Sequence, residues 1–195
     1  MAVTTQKLTF EEYLIYEDGT DTRYELVDGE LKPMSVGTGI HLFIIDFLVD
    51  QFKAASTDME GTYKTASGSI GVQSPGRGCQ NTSRIPDITI LPIEQVLSML
   101  NRAAVIGLDE LPPLLVVEVV SPLTKSDDYR SKRTEYGLLG IPEYWIVDPL
   151  AKKVTLCVVD NLFYDSSEFS GEEIIQSPTF PNLELTAAQV LAGRR

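Results

Sequence analysis

The run Leu114 to Val120, LLVVEVV, constrains the fold more than any other stretch of the chain. It holds no turn former, and every residue but one is apolar, so it reads as a strand. The apolar residues do not alternate with polar ones. Both faces of the strand must therefore be covered, as in a parallel or mixed sheet with layers on each side. Other segments supply the remaining layers. Ile85 to Leu91 (IPDITIL) is a strand with Pro86 at its start, and Glu143 to Asp148 (EYWIVD) and Val154 to Val159 are two more. A helix runs from Thr38 or Gly39 to about Ala55, with Leu42, Ile45, Val49 and Phe52 as its stripe and Phe43, Ile44, Phe47 and Leu48 widening it. A second helix starts at a Thr124 cap, with Asp127 as a capping-box variant, and ends at Gly140 and Pro142. Upstream, Thr9 caps a short helix, and Asp28-Gly29 joins two alternating runs in a hairpin. Residues 62–74 read as one or two weak strands, Pro75 to Arg84 as a polar loop, and Ile93 to Leu100 as a short helix. Short strands near Leu162 and Glu173 and a helix at Ala187 to Leu191 follow. The pattern predicts a mixed α/β chain.

With 195 residues and 43% hydrophobic content the chain can bury a core of its own. The expected organisation is a single domain over 1–195: an N-terminal helix and hairpin in 1–35, a core in 36–150, and C-terminal strands and helix in 151–195. No apolar run approaches the roughly 20 residues of a membrane span, and the N-terminus lacks a signal-peptide pattern. Cys79 and Cys157 have no CxxC neighbour and there is one histidine, which argues against a Cys/His zinc site. Two reduced cysteines in a cytoplasmic protein is the expectation. The net charge of −12 opposes a protein that simply coats nucleic acid. Residues 1–60 carry 12 acids against 4 bases, whereas 61–124 carry 5 against 4.

Three residues are out of place in a purely structural chain. Glu118 interrupts the apolar strand, and a buried carboxylate must be paired, protonated or metal-bound. Its alternative is a strand-end residue reaching solvent or an arginine. Asp87 follows Pro86, and alternation puts it on one face with Thr89 and Leu91. Its alternative is a turn aspartate. Lys132 shares a helical face with Tyr129, Tyr136 and Leu139 and must snorkel or find an anion. Its alternative is an i,i+4 pair with Asp128. Taken together, two strand carboxylates can bind Mg²⁺ (or Mn²⁺), which polarises a phosphate and helps generate hydroxide. A lysine beside them stabilises charge on phosphoryl oxygens. No GxxxxGK[ST] or GxSxG is present.

The chain also resembles a known family. RYELVDGEL (Arg23 to Leu31), the helix with His41, PDITIL (Pro86 to Leu91), LLVVEVVSP (Leu114 to Pro122), D-x-x-x-K-x-x-x-Y (Asp128, Lys132, Tyr136) and GIPEYWIVDP (Gly140 to Pro149) are similar, in that order, to the Uma-two family of the PD-(D/E)XK restriction-endonuclease-like superfamily. The resemblance runs from about Leu8 to about Leu191. It implies an αβββαβ core with a central mixed sheet flanked by helices. It matches Asp87 to the PD aspartate and Glu118 to the acidic residue of (D/E)XK. Val120 stands where that motif has its lysine, and Lys132 matches a lysine migrated to the following helix. Glu30 and His41 match the family's N-terminal polar positions as auxiliary residues. Their alternatives are a hairpin surface charge and a helix-start cap contact.

The expected function is a Mg²⁺-dependent (or Mn²⁺-dependent) endonuclease hydrolysing phosphodiester bonds, in DNA first. A homodimer is implied, because cutting both strands needs two sites. The alternatives are a non-catalytic nucleic-acid or protein-binding module on the same fold, and a phosphodiesterase acting on a small nucleotide or RNA. Arg77 and Arg84 flank the loop before Asp87 and are candidate phosphate-backbone contacts. Tyr144 and Trp145 are expected in the core.

Overall fold

The computed structural model describes residues 7–57, 62–76, 81–161 and 163–194; Arg77 and Cys79 lie outside the described residues. A six-stranded mixed sheet forms the centre. Its strands are β3 (Tyr63–Ser67), β6 (Ile88–Pro92), β8 (Leu115–Val119), β9 (Glu143–Asp148), β10 (Lys153–Asp160) and β11 (Phe163–Phe169), in the order β11-β10-β9-β8-β6-β3. β8 runs antiparallel to β6 and parallel to β9. Every residue of β8 is buried, Glu118 included, as expected of a strand with apolar residues on both faces.

The two faces of β8 serve two cores. Leu115, Val117 and Val119 pack with Trp145 against α2 (Gly39–Thr57) and α5 (Ala187–Ala192). Val116 and Val120 point the other way, toward Tyr136, Tyr144 and Ile146. That second face is covered by α4 (Arg133–Leu138) and by a five-stranded sheet built from β1 (Tyr24–Val27), β2 (Glu30–Pro33), β4 (Gly71–Pro75), β5 (Asn81–Arg84) and β7 (Val105–Ile106). Glu118 faces this second side.

The local signals at the chain's start are realised. The Thr9 hydroxyl and the Glu12 side chain form a reciprocal capping box on α1 (Phe10–Leu14). Asp28 and Gly29 take φ values of 50° and 82°, the left-handed pair that a two-residue hairpin turn demands. α3 (Ile93–Ser98) follows β6 directly.

Three local expectations fail. The polar run before Arg84 is a strand over Asn81–Arg84, paired with β4 and β1, because its Thr82, Ser83 and Arg84 side chains are buried between layers. In α2 the buried face is Ile44, Phe47, Leu48, Phe52 and Ser56, while Leu42 and Phe43 are exposed. Thr124 does not cap its helix: its hydroxyl accepts from the Ser121 N–H at 3.1 Å instead. Asp127–Lys132 then form a π-helical turn that continues into α4.

Candidate active site

Pro86 sets up the first site residue. It has no N–H and cannot continue the ladder between β6 and β8. Beyond the last paired residue a side chain takes over: the Asp87 Oδ2 accepts the Val119 N–H at 2.7 Å. Ile88 pairs with Val117 and Thr89 with Val116. One more step of that register sets Asp87 opposite Glu118. Asp87 itself lies one residue before the paired strand, and its negative charge is near enough to Glu118 to raise that carboxyl's pKa.

Glu118 is inside the protein. Its Oε1 accepts the Tyr136 hydroxyl at 2.8 Å, and its Oε2 lies 2.8 Å from the Lys132 ammonium. Lys132 is 5% exposed and also lies 3.1 Å from Asp128 Oδ1. The sequence left two readings of Lys132 open, a site cation or an i,i+4 partner of Asp128, and the ammonium has both contacts. In an α-helix a face drifts by about 40° every four residues. The π-helical turn takes up that drift, and Asp128, Lys132 and Tyr136 all remain on the buried side. Single π turns recur at functional sites.

His41 joins this group. Its Nε2 lies 3.2 Å from Asp87 Oδ2. That hydrogen bond raises the imidazole pKa above 6.5, burial pulls it down, and the charges of Asp87 and Asp128 add to the rise. Glu30 does not join. It sits on β2, the edge strand, and pairs with Lys32 at 3.0 Å in solvent. The acid of RYELVDGEL that reaches the interior is Glu25, on the inner strand β1. Its Oε1 accepts the Ile85 N–H at 2.9 Å and its Oε2 lies 3.3 Å from Arg84. Nothing local in the sequence separates Glu25 from Glu30, because which strand lies at the sheet edge is a tertiary fact.

Arg84 is a correction as well. It is 2% exposed and does not project from a loop toward solvent. Its Nε and Nη2 grip both oxygens of Glu135 at 2.8 Å each. This fork ties the segment entering Asp87 to the helix carrying Lys132. Tyr144 and Trp145 are fully buried core residues, as expected.

The electrostatics of the group lean negative. Burial pushes the Glu118 carboxyl well above its ordinary range; Lys132 pulls it down, while Asp87 and Asp128 push it further up. Burial opposes the charge on Lys132, but Glu118, Glu25 and Asp128 outweigh it and raise its pKa above the usual lysine value. Burial raises Asp128 too. Carboxylates thus outnumber cations, a setting that favours an added cation. Asp87 and Glu118 are hard oxygen donors that suit Mg²⁺. Among the described residues no three His, Cys, Asp or Glu side chains are grouped to hold a metal unaided. Mg²⁺ usually takes one or two carboxylates and completes its shell with water and substrate phosphate, so the two-carboxylate set fits.

Comparison with known proteins gives a consistent picture. A family model described as a putative restriction endonuclease, Uma2, matches residues 10–188. The fold is similar to that of a crystal structure described as a putative nuclease belonging to DUF820 from Anabaena variabilis. The TM-score is 0.76 at 16% identity, covering 95% of this chain and 98% of that one. No curated protein matches the chain.

Proposed function

This chain belongs to the Uma2 family of putative restriction endonucleases, and on that footing we propose that it is a Mg²⁺- or Mn²⁺-dependent endonuclease acting on DNA. One observation carries the reading. The buried Lys132 ammonium lies 2.8 Å from Glu118, at the end of the strand pair that also presents Asp87. Asp87 and Glu118 would hold the cation. Bound there, the cation would polarise the scissile phosphate and lower the pKa of a water. The chain's own residues do the rest. His41 and the Val119 N–H occupy Asp87 Oδ2 and orient the carboxylate, leaving Oδ1 for a ligand. Tyr136 fixes Glu118 from the far side. Lys132 has three N–H donors; those not spent on carboxylates can meet charge developing on the phosphoryl oxygens.

The test is plasmid cleavage by purified protein with Mg²⁺ or Mn²⁺. Cutting by the wild type is expected, with a loss of about 100-fold or more in Asp87→Ala and Lys132→Met. Undiminished cutting by Asp87→Ala would overturn the site assignment. The net charge of −12 favours a second reading, a non-catalytic binding module, because it repels a polyanion. Calorimetry separates the two: the nuclease reading requires Mg²⁺ binding heat that Asp87→Ala abolishes. A homodimer would supply the second site that a double-strand cut needs.

A further inference from the structure

Asp128 stands apart from the other carboxylates. Its side chain is 1% exposed. It is the one buried carboxylate, among the described residues, whose two oxygens both lack a partner in good hydrogen-bond geometry. Its neighbours are the Lys132 ammonium at 3.1 Å and the Thr124 hydroxyl, both of which lower its pKa. Burying a carboxylate so poorly satisfied is costly, and packing alone gives no reason to keep it.

The arrangement around it supplies a reason. Lys132 Nζ bridges two carboxylates, Glu118 on β8 and Asp128 on its own helix. Glu118 has competing demands: Tyr136 on Oε1, Lys132 on Oε2, and any cation that enters the site. Among the described residues Asp128 meets, through its side chain, only the Lys132 ammonium and the Thr124 hydroxyl. Its backbone carbonyl is pinned by the Tyr144 hydroxyl at 3.0 Å, which holds the π-helical turn against β9. We infer that Asp128 is the positioning residue for Lys132: it keeps the ammonium aimed at the reacting phosphate while Glu118 is engaged by the cation. This rests on the nuclease reading for its purpose, but the clamp itself is a property of the chain.

The experiment uses nitrogen-15 NMR of lysine ammonium groups in the full chain. A slowly exchanging signal that disappears in Lys132→Met identifies the buried ammonium. Without metal, Asp128→Asn is expected to speed its proton exchange about ten-fold or more, the equivalent of one charge-assisted hydrogen bond. Adding Mg²⁺ alone should leave the wild-type signal in place and remove it in Asp128→Asn. Unchanged exchange in Asp128→Asn, with and without Mg²⁺, would overturn the proposal, since Glu118 alone would then suffice. Asp128→Glu, which keeps the charge but moves it by one methylene, should fall between the two, and it serves if the asparagine variant does not fold. In plasmid cleavage Asp128→Asn should lower kcat and leave KM for DNA unchanged; the reverse split also overturns the proposal. A wild type that cuts nothing would defeat the nuclease reading, while the metal-free exchange would still decide the clamp.

Discussion

Replacing Arg84 by methionine tests whether this arginine is a buried strut or a nucleic-acid contact. The guanidinium is 2% exposed and makes a two-pronged bond to Glu135, with Glu25 as a third partner at 3.3 Å. The side chains of Glu25 and Glu135 are 15% and 13% exposed. Methionine fills similar volume but leaves two largely buried carboxylates with no cation. Breaking a buried pair from one side costs about 3–5 kcal/mol. In a chain of this length each kcal/mol lowers Tm by about 2–4 °C, so the expected drop is about 6–20 °C. Thermal melts at pH 7 read it directly, and urea unfolding should move its midpoint without a large change in slope. Adding Glu135→Leu removes one stranded carboxylate and should recover part of the loss. A single variant melting within about 2 °C of wild type would refute the strut, since that shift corresponds to less than about 1 kcal/mol. A phosphate contact would behave in the opposite way, with unchanged melting and a shallower salt dependence of DNA binding.

Other outcomes follow from the same geometry. His41 is the single histidine, so its proton NMR titration needs no assignment; its midpoint should lie above 6.5 and fall back in Asp87→Asn. A raised folded-state pKa means that His41 contributes stability fully below pH 6.5 and loses it as pH rises through the folded value. The wild type should therefore lose stability across that interval, and His41→Gln should flatten the loss. Tyr136→Phe removes the hydroxyl from Glu118 Oε1 and should cost about 1–3 kcal/mol in urea unfolding. Leu115→Ala, at a fully buried position on β8, should cost about 2–5 kcal/mol. The Cys157 thiol is pushed up by burial and should resist thiol reagents until the chain unfolds.

Local chemistry makes much of this protein legible in its sequence. The run Leu114 to Val120, apolar on both faces but for Glu118, required a strand covered on both sides, and β8 lies between two cores. Asp28-Gly29 required a tight hairpin, because few residue pairs accept two left-handed conformations. Asp87, Glu118 and Lys132 stood out because a charge in an apolar setting must be answered by something nearby. Helix spacing named Asp128 as a partner for Lys132, but most of the other pairings were not legible. Glu25 and Glu30 belong to one hairpin and look equivalent in sequence, yet strand order puts one inside and one in solvent. Arg84 sits in a run of polar residues that reads as a loop, yet two layers close over it and two glutamates meet it there. Thr124 looks like a cap, but its hydroxyl accepts from the Ser121 N–H and a π-helical turn follows it. Periodicity and propensity act over a few neighbouring residues, so the sequence by itself determined the elements and flagged the misplaced charges. Pairing of those charges joins segments far apart in the chain, 14 residues for Glu118 with Lys132 and 51 for Arg84 with Glu135, and only the packing of sheets and helices brings such segments into contact.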